Sequence, residues 1–291
     1  MTNHWLDTSE YPFTSNFFDI NGHQLHYIDE GQGETILFVH GTPSWGFDFR
    51  NIIKILKANF RCLAIDHIGF GLSDKPEHYD YSTDNHSKSL EKFVLENNLE
   101  NIALVVHDFG GPIGLNFAIK YPDKIKNIVI INSWLWSSKN KLDFIKLGKI
   151  LKSPLLPFLY RYPNFSLRFI LPKSFGDHKV SSKILRQYTK PFADKTQRNG
   201  SLAFAKSLLN DQDWFEQLWN QRAVISTKPT LFIWVMKDSV LKPQYLVKFA
   251  SGFTNSKTIK LETSGHFPQE EQPEIVMKSI FDFLNNKKNQ S

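Results

Sequence analysis

Apolar residues along this chain follow two alternating patterns. Continuous apolar runs at Thr35–His40, Arg61–Ile65, Asn101–Val106 and Ile125–Ile131 read as buried strands. Between them lie amphipathic stretches with helical spacing, near Phe47–Ala58, Ser82–Asn98 and Gly110–Ala118. Short strands separated by longer helices predict right-handed βαβ units and a mostly parallel sheet. The earlier segment Phe17–Tyr27 is interrupted by Asn21-Gly22, a pair suited to a tight turn, and predicts an antiparallel hairpin at the sheet edge.

The pattern changes at Leu135 and stays changed to Ala223. This stretch is rich in Lys, Phe, Leu and Pro, has helical periodicity and contains no strand run. Strands resume at Pro229–Val235 and Lys257–Leu261, followed by a helix near Pro273–Asn285. The expected organisation is an α/β core built from 1–134 and 224–291, with a helical cap at 135–223 over the carboxyl edge of the sheet. That edge is where open α/β sheets bind their ligands.

Composition agrees with one large α/β domain carrying an insertion. Of 291 residues, 41% are apolar and 22% charged, ordinary globular values that exclude a disordered or collagen-like chain. The net charge of +6 comes from scattered basic residues (Lys124 and Lys126, Lys146, Lys149 and Lys152, Lys287 and Lys288), which reads as a solvated basic surface and predicts no nucleic-acid partner. A single cysteine, Cys62, rules out a disulfide framework and a cysteine metal cluster, and is expected to be a buried, inert thiol. Met1–Phe13 lacks the pattern of a secretory signal, and no apolar run is long enough to span a membrane. The expectation is a soluble, cytoplasmic monomer or weak homo-oligomer, in which the Asn-x-Ser matches at Asn85, Asn164 and Asn199 carry no glycosylation meaning.

Three short segments carry candidate chemistry, and each directly follows a predicted strand. In Val106-His107-Asp108-Phe109-Gly110-Gly111 a strand turns abruptly into a helix, as in a nucleophile elbow with Asp at its tip. Gly110 provides the small residue on the far side; Val106 is a looser fit on the near side. A helix N-terminus there favours an anion. The other two segments are Thr263-Ser264-Gly265-His266-Phe267-Pro268 and Trp234-Val235-Met236-Lys237-Asp238. Singly, Asp108 reads equally as a helix cap, His266 as a structural histidine and Asp238 as a turn cap. Together they stand in the chain order nucleophile, acid, base of an α/β-hydrolase triad. His40-Gly41-Thr42-Pro43 follows an early strand, so the backbone N–H groups of Thr42 and Phe109 are candidates for an oxyanion hole.

These motifs resemble the haloalkane dehalogenases of the α/β-hydrolase superfamily. The residues that carry the resemblance are His40-Gly41-Thr42-Pro43-Ser44-Trp45, the loop Asp66–Pro76, His107–Gly114 and Gly265–Pro268, with a looser match at Tyr188-Thr189-Lys190-Pro191-Phe192. The resemblance implies the α/β-hydrolase fold, Asp108 as nucleophile, His266 as base, Asp238 as its orienting acid, and no metal or organic cofactor. In some relatives the acid follows the preceding core strand. Ile131-Asn132-Ser133-Trp134 offers no carboxylate there, which leaves the role to Asp238.

An aspartate nucleophile implies attack on a saturated carbon bearing a leaving group, then hydrolysis of the enzyme ester by an activated water. The chain departs from the family where the halide is held. The family places Trp after the nucleophile and a second N–H donor, often Asn, after His-Gly; here Phe109 and Thr42 stand in those places. Trp134 and Trp136 are alternative indole donors, or simply packing aromatics. Dehalogenation of haloalkanes therefore competes with epoxide hydrolysis, served by tyrosines such as Tyr160, Tyr162 and Tyr188, and with β-lactone decarboxylation, whose enzymes share the Asp66–Pro76 style of loop. A non-catalytic binding module has no need of an intact triad. In each enzymatic reading the partner is a small apolar substrate: a halogenated alkane, an epoxide or a lactone.

Overall fold

The computed structural model describes residues 4–285; Lys287 and Lys288 lie outside the described residues. Eight strands form one sheet: β1 (Asn16–Ile20), β2 (His23–Glu30), β3 (Thr35–Val39), β4 (Arg61–Ile65), β5 (Ile102–Asp108), β6 (Ile125–Ser133), β7 (Thr230–Val235) and β8 (Ser256–Leu261). Their order is β1-β2-β4-β3-β5-β6-β7-β8. β1 and β2 form the expected antiparallel hairpin, with Asn21 and Gly22 both at positive φ. β2 also runs antiparallel to β4, and from β4 onward every pairing is parallel. β3, β5, β6 and β7 are apolar because both faces are covered by helices, whereas β8 alternates little and exposes Lys257 and Lys260 at an edge.

The helices of the core are α1 (Arg50–Leu56), α2 (Thr83–Glu96), α3 (Gly110–Lys120), α9 (Pro243–Gly252), the single turn α10 (Pro268–Glu271) and α11 (Pro273–Asn285). The segment expected to be one helix over Phe47–Ala58 opens instead as a tight 3-10 turn, Gly46–Phe49, before α1 begins. The cause is Asp66, a buried carboxylate whose Oδ1 accepts the Gly46 N–H at 2.7 Å and whose Oδ2 meets His26 Nδ1 at 2.9 Å and accepts Leu72 N–H at 2.8 Å. Cys62 is buried in β4, and burial pushes its thiol up to about 12, as expected of an inert position.

Between β6 and β7 the chain is helical: α4 (Leu142–Leu151), α5 (Leu156–Arg161), a π turn at Ser166–Ile170, α6 (Ser182–Thr189), α7 (Asn199–Asn210) and α8 (Gln212–Gln221). Leu156 and Tyr160 of α5 pack on Leu202 and Ala205 of α7 in a small apolar cluster of their own. The opposite side of α7 turns Phe204 inward, where it stacks on Phe109 with ring centres 4.5 Å apart. Among the described residues no helix is long and apolar enough to cross a membrane.

Candidate active site

Asp108 closes β5, and α3 starts two residues later at Gly110. Its φ is +50°, a left-handed conformation that Asp tolerates better than most residues and that functional sites often hold in place. The turn is tight because neighbouring backbone comes close: a Cβ on Gly110 would collide with the Val39 carbonyl, and one on Gly111 with the Ser133 hydroxyl. Ser133 Oγ in turn donates to the Asp108 carbonyl at 2.7 Å. The loose fit of Val106 is resolved by Gly114, where an added Cβ would lie 2.7 Å from Val106 Cγ1. The small residue is one helical turn further on.

The two carboxylate oxygens of Asp108 have different surroundings. Oδ1 accepts the Thr42 backbone N–H at 2.8 Å, and a Cβ on Gly41 would run into this carboxylate. Oδ2 faces His266 Nε2 at 3.5 Å. The other imidazole nitrogen, Nδ1, lies 2.7 Å from Asp238 Oδ2. Asp238 is fully engaged: Oδ1 accepts the Val240 and Leu241 N–H groups at 2.7 and 3.1 Å, and Oδ2 also accepts from Asn132 Nδ2 at 2.9 Å. The structure thus brings Asp108, His266, Asp238 and the Thr42 N–H together, and Phe109 beside them.

Electrostatics follow from this geometry. Burial works against the charge on Asp108 and Asp238, yet His266 and the hydrogen bonds from its neighbours outweigh it, so both carboxyls sit below their ordinary range. Burial would lower His266, but Asp238 and Asp108 push it up to about 10. His107 goes the other way: burial and the nearby His266 hold it down to about 3, so it is a neutral ring. Its Nε2 lies 2.8 Å from the His266 carbonyl oxygen, and it steadies the loop from below.

Several contributors were not singled out from sequence. Asn132, at φ +31°, occupies the place where an alternative acid would stand; it donates to Asp238 and accepts the Val235 N–H at 2.9 Å. Glu271 accepts the N–H groups of Gly265 and Gly176 at 2.8 and 2.7 Å, tying the His266 loop to the helical segment. The His266 N–H adds a bond to the Ser174 carbonyl at 2.7 Å. Gly176 and Gly265 meet there with no room for a side chain on either, a contact that nothing in the sequence signals.

The candidate leaving-group donors separate clearly. Trp134 stands edge-on to Phe109, with ring centres 4.8 Å apart. The Thr42 hydroxyl is buried and without a partner among the described residues. Trp136 packs instead among Trp219, Tyr245 and Phe249, with Lys248 over its face, and its buried indole N–H has no partner among the described residues. Of the tyrosines, Tyr188 donates to Glu270 at 2.8 Å, Tyr160 lies in the α5–α7 cluster, and Tyr162 is exposed and stacked on Phe158. Among the described residues no cluster of three or more His, Cys, Asp or Glu could hold a metal ion.

Residues 34–273 match the model of the alpha/beta hydrolase fold family, and the chain belongs to that family. It is 31% identical over 278 residues to haloalkane dehalogenase 2 of Mycobacterium tuberculosis, covering 95% of this chain and 96% of that protein. It is 34% identical over 293 residues to the cis-3-alkyl-4-alkyloxetan-2-one decarboxylase of Shewanella oneidensis, covering 94% and 89%. The crystal structure of haloalkane dehalogenase DatA from Agrobacterium tumefaciens superposes with a TM-score of 0.85 at 25% identity, covering 94% of this chain and 96% of that one. The resemblance and the fold class read from the sequence are borne out.

Proposed function

We propose that this α/β hydrolase is a haloalkane dehalogenase, converting a haloalkane and water to an alcohol and halide, with the helical segment 135–223 as a cap over its site. The observation that carries the reading is the orientation of Asp108: Oδ1 is held by the Thr42 N–H while Oδ2 is left facing His266. Asp108 Oδ2 attacks the carbon bearing the halogen. The carbon–halogen bond breaks, halide leaves with the electron pair, and an alkyl ester remains on Asp108. Esterification removes one of the two negative charges that raise His266, so the imidazole releases its proton and becomes a base. His266 Nε2 then takes a proton from water as the oxygen adds to the ester carbon. The N–H groups of Thr42 and Phe109 hold the resulting oxyanion. Collapse expels the alkoxide, which takes a proton from His266; the carboxylic acid left on Asp108 then gives its proton to the imidazole, and the charged pair is restored. Asp238, held by Asn132 and two backbone N–H groups, keeps the imidazole oriented throughout.

A second reading is favoured by Phe109, which offers no side-chain N–H beside the nucleophile, and by the likeness to an oxetanone decarboxylase. In it Asp108 opens a β-lactone at its alkoxy carbon; loss of carbon dioxide with alkene formation returns the carboxylate without consuming water. Epoxide opening is the least supported, because Tyr160, Tyr162 and Tyr188 are engaged or turned outward.

The test is bromide release from a panel of bromoalkanes, with Asp108→Asn as control. Release that disappears in the variant is the expected result. Undiminished release, with no conversion of Asn back to Asp by mass spectrometry, overturns the assignment of Asp108. Alkene from a cis-3,4-dialkyloxetan-2-one, without bromide release, transfers the assignment to the second reading.

A further inference from the structure

Between Asp143 and Asp177 the sequence contains six basic residues, Lys146, Lys149, Lys152, Arg161, Arg168 and Lys173, and no acidic one. The same stretch carries an outward row of apolar side chains. Leu155, Phe158, Tyr162, Phe165 and Phe169 follow one another at intervals of three and four residues, and all are exposed, Leu155 by 64%, Phe158 by 55% and Phe169 by 49%. Phe158 stacks on Tyr162 and Phe165 on Phe169, with ring centres 4.9 and 5.5 Å apart. These rings are not needed to hold α5 in place, because its other side, Leu156 and Tyr160, already packs on α7. Beside them, Lys152 and Lys206 line an open groove of about 580 Å³ with Leu151, Pro154, Pro157 and Leu209.

Paired aromatics beside a basic run are costly to leave in water and fit one surface chemistry well, although Asp213 also lines the groove of Lys149 and Lys152. Anionic lipid headgroups match the basic residues, and the acyl boundary beneath them takes the rings. We propose that this outer face, from Ile150 to Lys173, docks the protein peripherally on an anionic membrane surface. The row lies on the side of α7 opposite Phe204 and the candidate site, so docking leaves the Phe109–Phe204 contact untouched. Binding adds to the proposed catalysis and does not depend on it.

The probe is co-sedimentation of the purified full chain with vesicles, either phosphatidylglycerol mixed equally with phosphatidylcholine or phosphatidylcholine alone. The anionic vesicles are expected to bind at least about tenfold more protein at low salt, a preference that high salt erodes. Phe158→Ser with Phe169→Ser, both at exposed positions, lowers binding about tenfold while substrate turnover in solution is unchanged. Lys149→Glu with Lys152→Glu does the same through charge alone. No binding to anionic vesicles, or binding that neither double variant weakens, overturns the proposal. A dimer in sedimentation analysis that Phe158→Ser and Phe169→Ser dissolve also overturns it, and assigns the face to a second copy of the chain.

Discussion

On the His266 side of Asp108, Asp238 accepts four hydrogen bonds, Asn132 bonds in both directions, and Glu271 ties down the loop that carries the histidine. Toward Trp134 and Phe204 the surroundings are aromatic, and the buried Thr42 hydroxyl has no partner among the described residues. The first side comes from ends of core strands and their loops, the second partly from helices between β6 and β7. A network with its hydrogen bonds made holds one geometry, whereas unsatisfied buried donors are costly unless a ligand completes them. On the proposed mechanism, the difference assigns ester formation and hydrolysis to the core and selection of the leaving group to the place where the core meets the helical segment.

The contrast can be broken at its strongest point first. His266→Gln should leave the attack intact and stop hydrolysis, lowering turnover by about three orders of magnitude or more and trapping an alkyl adduct on Asp108 that mass spectrometry detects. Absence of an adduct under substrate excess would remove the two-step route. On the other side, Trp134→Phe keeps the ring and deletes the N–H; bromide release should fall by about a hundredfold, with Trp136→Phe, in its aromatic cluster, leaving release unchanged. Equal effects of the two would mean that Trp134 only packs. Thr42→Val deletes the hydroxyl but keeps the backbone N–H, so a loss of about tenfold in kcat is expected, without change in adduct stability in the His266→Gln background.

The smallest effect is on stability. His266 has a folded pKa of about 10, above the ordinary 6.5, so its contribution is fully present below about pH 6.5 and is lost as pH rises through about 10. The lowered Asp108 and Asp238 contribute in the opposite sense, losing their share only as pH falls below 3.8. Thermal midpoints of the native chain should therefore decline between pH 6.5 and 10, and those of His266→Gln should decline less. Parallel curves would show that the imidazole is not held between two carboxylates.

Most of the core side was legible in the sequence because strand ends are set by short-range signals. Apolar runs mark β5 and β7, a short run around Ile259 marks β8, and a polar residue at or a few positions past each strand end lies at the sheet edge, so Asp108, Asp238 and His266 stood out by position and order. The turn chemistry of Asn21-Gly22 and the buried thiol of Cys62 were readable for the same local reason. Tertiary structure alone decided which partners these groups meet. Asn132 reaches Asp238 across 106 positions, Gly176 approaches Gly265 only because two distant loops touch, and Gly114 makes room for Val106 only once α3 lies on β5. It also separated Trp134 from Trp136, two indoles that the sequence leaves equivalent, because one helical insertion places Phe215 against the first and Trp219 against the second. Periodicity encodes which face of an element is buried; it does not encode what is buried against it, and that is where the donors of this site were settled.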